Sequence, residues 1–218
     1  MGAFLAGLRL GILVVLTMWG ASAWWRRAHV GEARPPAVAP RSGAPIPAAV
    51  PAEDAAEAPA PVSAISDSDV QRLRGRKLFM PVEGFDLGRL RDGFHEPRSD
   101  HVHAAIDLLA PRGTRVRAVD DGVVRKLLVT GRGGISIYQF DSEGRYCYFY
   151  AHLERYVPFL SEGKPVRKGD VLGYVGNTGN AAGGAPHLHF AIFRLDDDAK
   201  WWSGTPVNPF PLWASGRF

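Results

Sequence analysis

Between Gly31 and Ala64 the chain is built mostly of alanine and proline, as in ARPPAVAP and GAPIPAAVPAEDAAEAPAPV, with no aromatic residue and no sustained apolar period. Such a segment cannot bury enough surface to offset the entropy lost on ordering it. It is expected to be a disordered, partly polyproline-extended tether, and it separates two stretches of very different character. Before it, Leu10 to Trp25 (LGILVVLTMWGASAWW) carries no charge and is bounded by Arg9 and by Arg26-Arg27. A spanning helix needs about 20 apolar residues, which this run reaches if Ala3 to Leu8 is included and Arg9 snorkels to the interface. Ala21-Ser22-Ala23 has the small-x-small form of a signal cleavage site, whereas Trp24-Trp25 before two arginines has the form of an interfacial belt. The balance favours an uncleaved hydrophobic helix anchored in the inner membrane with the remainder in the periplasm or outside the cell; cleavage would make the protein secreted.

The expected boundaries are 1–27 for the membrane anchor or signal segment, 28–66 for the linker, 67–77 for a short helix or lead-in, and 78–218 for one folded domain. Ser66 or Asp67 is placed to cap a helix running through Arg74, with Val70 and Leu73 three apart. From Lys77 onward the chain is long enough to bury about two-thirds of the surface its unfolded form exposes. There, short runs rich in Val, Ile, Tyr and Phe alternate with Gly, Asp and Ser clusters, which is the pattern of strands and turns. Candidate strands are Thr114 to Val119, Val123 to Thr130, Gly134 to Phe140, Tyr146 to Leu153, Val171 to Val175 and His187 to Arg194. The connections Asp120-Asp121-Gly122, Gly131-Arg132-Gly133 and Asp141-Ser142-Glu143-Gly144 are too short for parallel crossovers. The fold class is therefore all-β, with mainly antiparallel sheets and an open groove.

The single cysteine, Cys147, excludes an intrachain disulfide and a thiolate-rich metal site. Metal binding would fall to histidine and carboxylate. The formal net charge of +4 favours an anionic partner, but Lys and Arg are scattered and no nucleic-acid-binding signature accompanies them, so nucleic acid is not expected.

Of seven histidines, four lie in three segments where strand geometry would aim them together. In His187-Leu188-His189-Phe190-Ala191-Ile192, alternation puts both imidazoles on one face and the apolar residues Leu188, Phe190 and Ile192 on the other. In Tyr146 to Leu153, the same rule groups His152 with three tyrosines on a wetter face, opposite Cys147, Phe149, Ala151 and Leu153. His103 and Asp107 are four apart and share a face if the segment is extended. Two imidazoles and one carboxylate suit a catalytic zinc site, which keeps a fourth position for water. The remaining histidines are suited to proton transfer near neutral pH. A lone histidine is more often a surface or satisfied core residue than a ligand; three such segments together reverse that expectation.

His103-x-x-x-Asp107, Tyr150-Ala151-His152-Leu153 and His187-x-His189 resemble the signature of the lysostaphin-type, LytM-like zinc metallopeptidases. Flanking stretches over about Leu78 to Leu212 agree, including VRKGDVLGYVGNTGN from Val166 and PVNPFPLW from Pro206. The resemblance implies zinc ligands His103, Asp107 and His189, with His187 as general base or its partner and His152 as second catalytic histidine. It further implies a Zn2+-dependent endopeptidase whose substrate is bacterial peptidoglycan. Ala105 stands where the family more usually has glycine, and its methyl is expected to narrow the cleft or shift substrate preference.

Other assignments were weighed. His101 shares the parity of His103, so His-Val-His is a rival ligating pair; His95 and His29 read as solvated. Cys147 alternates onto the packed face, away from His152, and is not expected to be a nucleophile. Gly173, Gly176 and Gly179 lack the context of a phosphate-binding fingerprint and read as turns bordering the cleft. A non-cleaving, wall-binding regulator of another hydrolase is the main alternative function, and a lipoyl-like carrier suggested by Val166 to Gly173 ranks below it. The segment from Arg91 to Asp100 is a candidate to fold over the groove and block the metal.

Overall fold

Two of the three short turn clusters make hairpins, and the third does something else. A computed structural model describes residues 67–98 and 101–214. The apolar run, the Ala/Pro tether and the expected boundaries between them lie outside those residues. Helix α1 (Asp67–Arg76) is followed by strands β1 (Ile106–Leu109), β2 (Arg115–Arg117), β3 (Gly122–Thr130), β4 (Gly134–Asp141) and β5 (Tyr146–Tyr156). Then come β6 (Pro165–Val166), β7 (Val171–Val175), β8 (His187–Arg194), β9 (Thr205–Val207) and the single-turn helix α2 (Phe210–Trp213). Every ladder is antiparallel, in the order β1-β8-β5-β4-β3-β6, with β2 on β7, β7 on the end of β5, and β9 on β8. The all-β, mainly antiparallel reading of the sequence agrees with this. The turn at Asp120-Asp121-Gly122 does not join partners, however, because β2 pairs with β7 while β3 pairs with β4 and β6.

The faces of β5 are the reverse of the expected ones. Tyr146, Tyr148 and Tyr150 are fully buried and face the main core with Ile137, Leu188, Phe190 and Ile192. Each hydroxyl has an interior partner: Tyr146 donates to Asp69 (2.8 Å), Tyr148 to Asp120 (3.0 Å) and Tyr150 to Gln139 (2.8 Å). A buried hydroxyl so satisfied keeps the packing gain of a large ring without an unpaired polar atom. Asp69 lies on α1 and also pairs with Arg194 (3.1 Å), while Leu73 enters the core, so the helix belongs to the same hydrophobic unit as the sheet.

On the other face, Asp107 and Ala151 both pair with His189, and Cys147 pairs with Phe193. Cys147 therefore shares the face of His189 and is sealed in a small cluster with Phe140 and Leu195. Strict alternation would send His152 into the tyrosine core. A β-bulge prevents this: Ile137 pairs with Tyr150 but Ile135 with Leu153, so β5 carries one extra residue, and His152 takes a left-handed φ of 59°. Leu153 returns to the core and the imidazole of His152 turns toward His187 and His189.

The loop after β7 braces this bulge. Thr178 Oγ accepts from the Ile135 amide (2.9 Å) and donates to the Leu153 carbonyl (2.8 Å). Its close approach needs bare backbone, because a Cβ on Gly179 would lie 2.3 Å from the Gly134 nitrogen and 2.5 Å from the Arg132 carbonyl oxygen. Gly183 has a similar left-handed φ of 84° but open space around it. Gly179→Ala should therefore lower the unfolding free energy by roughly 3 kcal/mol or more, and Gly183→Ala by only the ~1–2 kcal/mol of left-handed strain. Urea denaturation of the two variants checks this; equal losses would contradict the close-packed joint.

Candidate metal centre

Asp107 is the second residue of β1, where its register with His189 sets the two side chains side by side. His103 arrives differently from expectation. The segment before β1 is not extended, since Ala104 adopts a left-handed φ of 52°. His103 is positioned instead by Arg91 to Arg98. Its amide donates to the Glu96 carbonyl (2.9 Å), the Ala104 amide donates to that of Phe94 (2.9 Å), and Nδ1 of its ring lies 3.0 Å from the Gly93 carbonyl. Phe94 is fully buried. In the described part of this candidate covering segment, Gly93, Phe94 and Glu96 bind His103 and Ala104, and Phe94 is built into the fold. Ala105 is likewise completely buried and adopts no left-handed conformation, so its methyl fills interior space rather than the cleft.

Three donor atoms converge. Nε2 of His103 lies 3.1 Å from Asp107 Oδ1 and 3.0 Å from Nδ1 of His189, and His189 Nδ1 is 3.2 Å from the same carboxylate oxygen. Because a carbonyl faces Nδ1 of His103, that nitrogen carries the proton of the neutral ring and Nε2 offers a lone pair. Burial pushes His189 toward the neutral form, and the adjacent Asp107 only partly offsets this. Lone pairs and a carboxylate oxygen packed this closely are satisfied together by a cation at their centre. Among the described residues, these three form the group of His, Cys, Asp and Glu side chains close enough to hold a metal ion, and His101 is not part of it.

His187 and His152 complete the cluster. Their rings are 5.0 Å apart, and His152 is 5.5 Å from His189. Nδ1 of His152 faces the Thr178 carbonyl (2.9 Å) and Nδ1 of His187 faces that of Ala185 (2.9 Å). Each neutral ring therefore carries its proton on Nδ1 and leaves Nε2 as the acceptor, and His187 Nε2 lies 3.9 Å from Asp107 Oδ1. Burial, reinforced by the nearby His189, pushes the pKa of His152 down to about 4, so it stays neutral at physiological pH.

All five residues singled out in the sequence thus come together. Three others at the site escaped notice. Thr178 was visible only as part of a turn, Gly93 presents its carbonyl to His103, and Arg98 donates to the second oxygen of Asp107 (3.1 Å). No spacing rule links Arg98 to a carboxylate in the following strand. Elsewhere, Lys168 at the β6–β7 turn is tied to the Arg76 carbonyl (2.7 Å) and lies 3.6 Å from Asp120, which leaves it unsuited to a carrier role.

Residues 101–209, half of the chain, match the profile of Peptidase family M23. A "DD-carboxypeptidase/endopeptidase" of Neisseria meningitidis serogroup B is 39% identical over 108 residues, covering 50% of this chain and 22% of that protein. A "peptidoglycan DD-endopeptidase" of Vibrio cholerae serotype O1 is 34% identical over 127 residues, covering 55% of this chain and 28% of that protein. Among solved structures, the antimicrobial peptidase lysostaphin from Staphylococcus simulans aligns at 26% identity with a TM-score of 0.48, over 58% of this chain and 49% of that one. The chain thus matches only about a quarter of the length of those two curated relatives. With the family profile spanning the strands that carry Asp107, His152, His187 and His189, and the loop that carries His103, the chain belongs to Peptidase family M23.

Proposed function

We propose that this chain is a zinc-dependent endopeptidase that hydrolyses peptide bonds in bacterial peptidoglycan, in its stem peptides or cross-bridges. The observation that carries the reading is the convergence of His103 Nε2, Asp107 Oδ1 and His189 Nδ1 within 3.0–3.2 Å of one another, beside two imidazoles with free Nε2 atoms. A tetrahedral zinc with ligand bonds near 2.0–2.1 Å has ligand-to-ligand edges of about 3.3 Å, so the donor set fits that ion in type and spacing. His103, Asp107 and His189 would hold it, and bound zinc supplies a Lewis acid and a water of lowered pKa. The substrate class follows from the curated peptidoglycan endopeptidase among the relatives. A non-cleaving regulator is not favoured, since no position of the set is lost.

The chemistry left to the protein is proton management. Pinned through Nδ1, His152 and His187 each present Nε2 toward the cleft. A neutral Nε2 accepts a proton from the attacking water, and the imidazolium so formed donates it to the departing amine. Ala185 and Thr178 fix the two tautomers by accepting at Nδ1, so neither ring can present a proton at Nε2 until it has taken one up. The apolar run and the tether further suggest a domain held outside the cytoplasm at a membrane, in reach of cell wall.

Release of soluble fragments from purified sacculi by the full chain, with and without chelator, tests the reading. His189→Ala should lose both tight zinc binding and cleavage. His152→Ala and His187→Ala should each keep about one zinc while losing roughly 10²–10⁴-fold in kcat. Zinc titration alongside fragment release separates the two classes, and full cleavage by His189→Ala would refute the assignment. Removal of zinc by chelation should abolish fragment release, and re-addition should restore it.

A further inference from the structure

We infer that Arg98 is a positioning residue for the metal centre: it holds Oδ2 of Asp107 away from the three-atom cluster, so that this carboxylate contributes one oxygen and not two. The inference rests on the zinc reading above and adds a residue and a task to it.

The two oxygens of Asp107 are used differently. Oδ1 lies 3.1 Å from His103 Nε2, 3.2 Å from His189 Nδ1 and 3.9 Å from His187 Nε2. Oδ2 is bound by Nη2 of Arg98 at 3.1 Å. A guanidinium is always charged, so this single hydrogen bond to Oδ2 is charge-assisted and opposes rotation of the carboxylate. Without that grip, a carboxylate beside a divalent ion is free to swing its second oxygen onto the metal, because acidic ligands bind through one oxygen or two. The position taken would be the one that a catalytic site keeps open for water.

The local backbone supports the same task. Pro97 and Val102 form an isolated antiparallel bridge, and the Arg98 amide donates to the His101 carbonyl at 2.8 Å. These pairings set Arg98 and His103 near one another, with His103 fastened to Glu96 and Gly93. One element therefore delivers a candidate ligand to Oδ1 and a clamp to Oδ2. Glu96 Oε2 lies 3.5 Å from the same Nη2 of Arg98, a second anionic contact for the guanidinium. The Arg98 side chain is 41% exposed, so the clamp stands at the mouth of the site and its removal leaves no hole in the core.

The test compares the full chain with Arg98→Ala and Arg98→Lys, reading zinc affinity by competition with a chromophoric chelator and the visible absorption of the cobalt-substituted proteins. Arg98→Ala should bind zinc about 10–100-fold more weakly. Its cobalt spectrum should lose the intensity of a four-coordinate site and take the weaker bands of a higher-coordinate one. Arg98→Lys, which keeps the charge and one donor, should restore part of both. Thermal melts of the metal-free proteins show whether each variant is folded; should the alanine variant not be, the lysine variant carries the comparison through its spectrum. Wild-type zinc affinity and an unchanged cobalt spectrum in a folded Arg98→Ala would overturn the inference and leave the metallopeptidase reading intact. A wild-type chain that bound neither zinc nor cobalt would overturn both.

Discussion

The antiparallel register that sets Asp107 opposite His189, and His189 opposite Ala151, is the constraint on which the rest of the site depends. Side chains alternate with a period of two, so a slip of one residue in either ladder would send His189 into the tyrosine core and Leu188 or Phe190 into the cleft. The register is held from the core side. Leu188, Phe190 and Ile192 are completely buried, as are the three tyrosines of the neighbouring strand β5, and each tyrosine hydroxyl is committed to one interior acceptor. A slipped sheet would strand those hydroxyls at about 1–3 kcal/mol each, besides exposing the apolar face. The packing of one face thus fixes the chemistry of the other.

Regular strands alone would not make the site, because two of its histidines depend on backbone that breaks regularity. Ala104 and His152 both adopt left-handed φ values, and each such residue other than glycine costs roughly 1–2 kcal/mol. The surrounding contacts hold them there. The His152 amide donates to Gly133 and its ring faces the Thr178 carbonyl, while the Ala104 amide donates to Phe94. Strain of this kind persists where neighbouring structure over-determines it, and it gathers at functional sites. Here its effect is to aim one imidazole across the grain of its own strand and to bring another in from a loop.

Electrostatically the centre is a small concentration of acceptors. The Gly93, Thr178 and Ala185 carbonyls each take the Nδ1 proton of a different histidine, which turns the lone pairs of three rings inward. Among the described residues Asp107 is the carboxylate grouped with His103 and His189, and Arg98 holds its outer oxygen. The whole arrangement is electron-rich in the middle and hydrogen-bonded at its rim, which suits a divalent cation.

Much of this was legible in the sequence. The extents of β4, β7 and β8 follow from alternation and turn residues to within a residue, and the histidine segments single out the five residues that converge. What could not be read belongs to interactions between distant parts of the chain. Alternation names the two faces of β5 but not which one is inside, because that depends on Asp69, Asp120 and Gln139 waiting for the tyrosine hydroxyls. The bulge that rescues His152 depends on Gly133, Gly134 and Thr178, and the partner of β2 is β7 rather than its neighbour in sequence. Arg98 meets Asp107 only because a loop folds back beside the strand it precedes. The sequence by itself determined the strand-and-turn character of the domain and the donor types available to it, since both follow from local periodicity and side-chain chemistry. Tertiary structure alone decided which face is core and which nitrogen and oxygen atoms point at one another, because those are set by contacts between residues that local order does not connect.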